Sequence, residues 1–182
     1  KSFDNKENML FTDVSGELFR TLKDSTPESK KFHLALRADH FALFFDTHEL
    51  SEMSLRYAAK NSGLGILKSL TTAAVLTPKT RIQIIFSKWD LFEKKSDQDT
   101  HSAFIHGLRD EIQQQYGSTY NVTFHQIASR PFKSHLPFGH GIGELFDIWI
   151  SQSQLDFNKL KFEQIEKGLD GRQFSKYLFT KD

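Results

Sequence analysis

Four polar clusters each close a short apolar run: Asp13-Val14-Ser15-Gly16-Glu17, Asp46-Thr47-His48-Glu49, Ser87-Lys88-Trp89-Asp90 and Ala128-Ser129-Arg130. In open parallel sheets ligands bind beyond the carboxyl ends of the strands, so these clusters hold the side chains with access to a bound molecule. A carboxylate at Asp13 suits Mg²⁺, which prefers hard oxygen ligands and keeps much of its hydration. Asp90 offers a carboxylate that can accept hydrogen bonds from two neighbouring donors on one ligand edge. Each cluster also has a plainer reading. Asp-x-Ser-Gly after a strand makes a turn, and Lys-x-Asp is short enough to arise by chance. Asp46 with Glu49 reads as an acidic metal site, as the carboxylate and base of an ATPase, or most simply as a strand end followed by a polar helix start. The eight histidines show no His-Glu-x-x-His spacing. His135 and His140 flank Pro137-Phe138-Gly139 and read as loop residues, and no Gly-x-Ser-x-Gly elbow supports a serine hydrolase.

The elements that must carry these clusters follow from hydrophobic periodicity. Asn8 to Val14, Asp39 to Asp46, Arg81 to Ser87 and Asn121 to Ala128 predict strands. Near-continuous apolar content, as in Phe41-Ala42-Leu43-Phe44-Phe45, is that of strands buried on both faces of a parallel sheet. Ser51 is placed to cap a helix running through Leu55, Tyr57 and Ala59 toward Leu70 and Val75, with Gly63-Leu64-Gly65 predicting a break or kink. Phe104, Leu108, Ile112 and Tyr116 share one helical face from about Asp99 until Gly117 stops it. Ile142, Leu145, Phe146 and Trp149 predict a third helix beginning near Gly141. Strands alternating with helices give an α/β fold. Lys94 to Thr100 reads as a solvated loop, and polar residues 151–182 as a helical C-terminal extension beyond a domain spanning 1–150.

The first, third and fourth clusters, in that order, resemble the later nucleotide motifs of translation-factor-class P-loop GTPases. Within that class, Asp39-His40-Phe41-Ala42-Leu43-Phe44-Phe45-Asp46 followed by Ser87-Lys88-Trp89-Asp90 is most similar to the bacterial double-GTPase family. The resemblance covers Asn8 to Trp149 and implies the C-terminal part of such a domain, a three-layer sandwich around a mainly parallel sheet. It implies GTP and GDP as ligands with Mg²⁺ held by Asp13, the Gly16 backbone near the γ-phosphate, Lys88 with its stem along the base, and Asp90 accepting from the ring N–H and exocyclic amine of guanine, a pair of donors that adenine lacks. Ser87 stands where Asn is usual, and a hydroxyl supplies only part of that amide's bonding. Ala128 and Ser129 match the position where a backbone N–H meets the guanine carbonyl, in a shifted form. Glu17 falls where many relatives place the glutamine that orients attacking water. The implied activity is hydrolysis of GTP to GDP in a switch read by a protein effector or second domain. The alternative is a catalytically inactive module kept for protein interaction.

One expected motif is missing from the sequence: nothing matches Gly-x-x-x-x-Gly-Lys-Ser/Thr, and no Thr-bearing switch precedes Asp13. In this fold the strand before the phosphate loop lies between the strands ending at Asp13 and Asp46. An N-terminal portion of the native protein, or another chain, is therefore expected to supply it. Composition sets the outer limits. The 182 residues, 38% hydrophobic and 26% charged, suffice for one core. Lys and Arg at 24 against Asp and Glu at 23 leave a net charge of +1, which gives no field to gather nucleic acid or an anionic membrane. Without a cysteine there is no disulfide, Cys-ligated zinc or thiol nucleophile. No apolar stretch approaches the roughly 18 residues of a membrane helix, and a cytoplasmic location is expected.

Overall fold

Residues 40–46 and 81–87 place large apolar side chains too close together for a one-sided helix, and both form strands. The computed structural model describes residues 10–12, 33–92, 98–132 and 134–151. In chain order the elements are α1 (His33–Leu36), β1 (His40–Asp46), α2 (Thr47–Ser51), α3 (Arg56–Thr72), β2 (Arg81–Ser87), α4 (Trp89–Phe92), α5 (Gln98–Tyr116), β3 (Asn121–Gln126) and α6 (Ile142–Ser151). The strands form a parallel sheet in the order β1-β2-β3. Asp46 pairs with Ser87 and Phe86 with Gln126, so all three carboxyl ends share one edge. The strand expected over Asn8 to Val14 lies largely outside the described residues; residues 10–12 carry no strand, and Phe11 packs its ring against Phe146 and Trp149 of α6.

Alternation along the strands sends Phe41, Leu43, Phe45, Ile82, Ile84 and Phe86 into the main core. Ile66, Leu67 and Leu70 of α3 join Ile105, Leu108 and Ile112 of α5 in it. The helical spacing of each triplet makes a single apolar stripe. At about 1.5–3 kcal/mol for each fully buried aliphatic or aromatic side chain, this cluster is the chief source of stability.

Several local expectations need correction. The break at Gly63-Leu64-Gly65 does not occur, because α3 is continuous from Arg56 to Thr72. Gly63 instead admits the Phe45 ring, which any Cβ there would overlap. Ser51 does not cap the long helix: its hydroxyl donates to the His48 carbonyl at 2.8 Å within α2, and α3 starts after Leu55 without a side-chain cap. α5 starts at Gln98, one residue before the expected Asp99, so the loop expected from Lys94 to Thr100 ends sooner. β3 ends at Gln126, two residues short of the expected end, and the chain there turns away to pair Ala128 with His140.

The second face of the sheet is organised by polar groups. Gln83, only 1% exposed, accepts from the Trp149 indole through Oε1 at 2.8 Å and meets His40 Nδ1 through Nε2 at 2.8 Å. An indole can only donate, so the amide oxygen must face Trp149 and the amide nitrogen His40. His40 Nδ1 is then the acceptor, and its ring is neutral with the proton on Nε2. Burial, reinforced by the nearby Arg81 cation, pushes the His40 pKa below its ordinary value, with Asp39 opposing. Four residues on from His40, Phe44 shares this face and is 54% exposed.

Candidate functional site at the carboxyl edge

β2 delivers Ser87, Lys88, Trp89 and Asp90 to the carboxyl edge, and these four residues bind to the end of β1 on one side and to the chain beyond β3 on the other. On the β1 side, Ser87 Oγ donates to the Phe45 carbonyl at 3.1 Å, and Lys88 Nζ lies 2.5 Å from Asp46 Oδ2. On the β3 side, the Trp89 N–H donates to the Ile127 carbonyl at 3.1 Å, and Asp90 Oδ2 accepts from the Phe132 N–H at 3.1 Å. The chain changes sides at Lys88, whose φ of 56° lies in the left-handed region that few non-glycine residues occupy. Such a conformation costs free energy and persists only where surrounding contacts enforce it. Here the contacts on either side do so.

Asp90 is 5% exposed, and a carboxylate that deep needs hydrogen-bond partners. The Phe132 N–H supplies one; two oxygens with about four lone-pair sites leave capacity for further donors. The loop supplying it runs from Ser129 to Gly141 and is closed by bonds of its own. The Gly139 N–H donates to the Ser129 carbonyl at 3.1 Å, and the Ala128 N–H to the His140 carbonyl at 3.1 Å. Gly141, at φ 72°, then opens α6 against the Gln126 carbonyl, where a Cβ would collide. Of the two residues matched to the base-carbonyl position, Ala128 is buried with its N–H already committed, whereas Ser129 is exposed. Among the described residues no acceptor meets the Ser129 N–H.

Asp46 is more occupied than its sequence context suggested. Its Oδ1 accepts from the His48 N–H at 3.0 Å, capping α2, while Oδ2 holds Lys88. The Asp46 hydrogen bond and charge raise the Lys88 pKa, so the ammonium stays charged over any ordinary pH range. With both oxygens engaged, Asp46 is a strand-end cap and ion-pair partner, not a free ligand for a metal. Among the described residues no group of three His, Cys, Asp or Glu side chains could hold a metal ion. Asp13, expected to hold Mg²⁺, lies outside the described residues together with Gly16 and Glu17.

Ser87, Lys88, Asp90, Ala128 and Ser129 thus meet at one edge, as the spacing of their strands requires. Two features were missed from sequence: the Asp46–Lys88 pair and the return of the 129–141 loop to Asp90. A signal existed for the first in Asp46-Thr47-His48, an N-cap pattern, and for the second in Gly139 and Gly141. Among the described residues no helix is long and apolar enough to cross a membrane. No curated protein and no solved structure matches the chain. The sequence model of the Double-GTPase 2 family does match, over residues 1–150, and with the parallel sheet and its strand-end residues in place, the chain belongs to that family.

Proposed function

We propose that the carboxyl edge is the guanine-binding part of a GTP-dependent switch. The observation that carries this is Asp90: a buried carboxylate, oriented by one backbone N–H, with capacity left for the ring N–H and exocyclic amine of guanine. Lys88 offers its stem to the face of the base, Ser87 ties the site to β1, and Ser129 offers its N–H to the base carbonyl, with Ala128 as the buried support behind it. The remaining roles fall to residues before β1. Asp13 would hold the Mg²⁺ that accompanies a nucleoside triphosphate and compensates its charge. Gly16 would let the backbone approach the γ-phosphate, and Glu17 would orient the water for hydrolysis to GDP. The domain of residues 1–150 would form a three-layer α/β unit in the cytoplasm, with 151–182 as a helical extension and a protein effector or second domain reading the switch. Neither membrane nor nucleic acid enters this proposal as a partner.

Calorimetric titration of the native full-length protein with GDP and ADP tests the base site. GDP should bind more tightly, and Asp90→Asn should remove about tenfold or more of that preference, the scale of one charge-assisted hydrogen bond. Equal affinities for the two nucleotides in the unmutated protein would overturn the assignment. A second reading, an inactive interaction module, is favoured by Ser87 in place of Asn. GDP preference without any single-turnover GTP hydrolysis would select it.

A further inference from the structure

Asp46 and Lys88 are joined across the ends of β1 and β2 by a geometry fixed from several directions. The register sets Asp46 beside Ser87, one residue before Lys88. The His48 N–H holds Asp46 Oδ1 at 3.0 Å, which turns Oδ2 toward Nζ of Lys88 at 2.5 Å. The left-handed backbone at Lys88 fixes the other end of the link. The Lys88 side chain is 56% exposed, and an exposed pair of this kind contributes little to stability. A long lysine side chain, however, loses much rotamer freedom when it is held in one place. If it is held before a ligand arrives, that cost is no longer charged against binding.

Charge gives the second part of the argument. Asp90, two residues beyond Lys88, is the carboxylate whose remaining lone pairs the base requires. The carboxylates that act on the Lys88 ammonium, Asp46 and after it Glu49, both lie on the β1 side, whereas Asp90 turns Oδ2 to the Phe132 N–H on the β3 side. We infer that Asp46 is a positioning residue of the base site: it keeps Lys88 on the β1 side, leaving the lysine stem for the face of the base and the Asp90 oxygens for its edge. This inference rests on the guanine reading above and adds to it a residue outside the matched motifs.

The experiment is GDP titration of the full-length protein carrying Asp46→Asn, Lys88→Met or both. Asp46→Asn keeps an oxygen to cap α2 and removes the charge that holds Lys88. It should weaken GDP about three- to tenfold, the scale of immobilising one long side chain, with little change in melting temperature. The double variant should bind GDP no more weakly than Lys88→Met alone, because Asp46 acts through Lys88; a merely structural Asp46 would weaken both backgrounds by the same factor. If Asp46→Asn lowers the melting temperature, Asp46→Ser, which also caps a helix, repeats the cycle. Unchanged GDP affinity in Asp46→Asn, or losses that multiply in the double variant, overturn the inference alone. Absence of any GDP-over-ADP preference in the unmutated protein overturns the guanine reading and this inference with it.

Discussion

On one face of the sheet, Phe41, Leu43, Phe45, Ile82, Ile84 and Phe86 pack against α3 and α5 in an apolar cluster; on the other, the centre of β2 presents Gln83, tied to His40 and Trp149. The first arrangement is large in energy and tolerant in detail, since apolar attraction has no direction. The second contributes less but is exacting. Each hydrogen bond in the Trp149–Gln83–His40 chain fixes the polarity of the next, so it specifies where α6 attaches to β2. Stability and specificity are therefore supplied from opposite sides of the same three strands.

Truncation on the two faces should differ most. Phe86→Ala removes a fully buried ring and should cost about 3–5 kcal/mol in urea denaturation. Phe44→Ala, on the half-open face, should cost under about 1 kcal/mol. A large effect at Phe44 would mean that this face is as tightly covered as the other, and the contrast would fail. A smaller effect belongs to the polar chain. Gln83→Leu leaves the half-buried indole N–H of Trp149 and His40 Nδ1 unpaired, at a cost of about 1–3 kcal/mol. Adding Trp149→Phe removes one of those orphans, so the double variant should lose less than the sum of the two single changes. Strict additivity would show that the chain is not coupled.

The smallest effect is a pH dependence confined to the second face. His40 and His125 both have pKa values pushed below the ordinary 6.5 by burial, with Arg81 adding to the effect at His40 and Glu144 opposing it at His125. The folded state then binds fewer protons than the unfolded state as pH falls through 6.5. Their contribution is therefore complete above that value and is lost as pH drops toward the folded pKa values. Urea midpoints measured from about pH 8 to about pH 5.5 should fall. His40→Asn, which retains an acceptor for Gln83 and does not titrate, should flatten the fall and leave only the His125 share. An unchanged slope would remove His40 from the balance.

The strands and helices behind this contrast were legible in the sequence, but the contrast was not, since near-continuous apolar runs predicted burial on both faces. The run Arg81 to Ser87 predicted its strand because apolar residues on both faces leave a local signature. Phe104, Leu108, Ile112 and Tyr116 likewise announced α5. Gly63 was read as a flaw in a helix, whereas its role is to admit Phe45 from another element, and no local pattern encodes such an approach. Gln83 sat unremarked in an apolar run because its partner Trp149 lies 66 residues away. At the site, the place of Lys88 and Asp90 just beyond the end of β2 was legible. Their anchors on β1 and on the 129–141 loop were not, since register and loop closure arise only on folding.

The sequence holds two tryptophans, and the fold places them in unlike surroundings. Trp89 lies within the Ser87–Asp90 segment, its ring 4.6 Å from that of Phe92, while the Trp149 indole N–H is bound to Gln83 on the second face. Their fluorescence therefore forms two separable optical channels. With Trp149 replaced by Phe, emission at Trp89 reads events at the carboxyl edge; with Trp89 replaced, emission at Trp149 follows detachment of α6. A mixing experiment on the two single-tryptophan proteins could then time the edge and the second face independently, without attaching a dye to either.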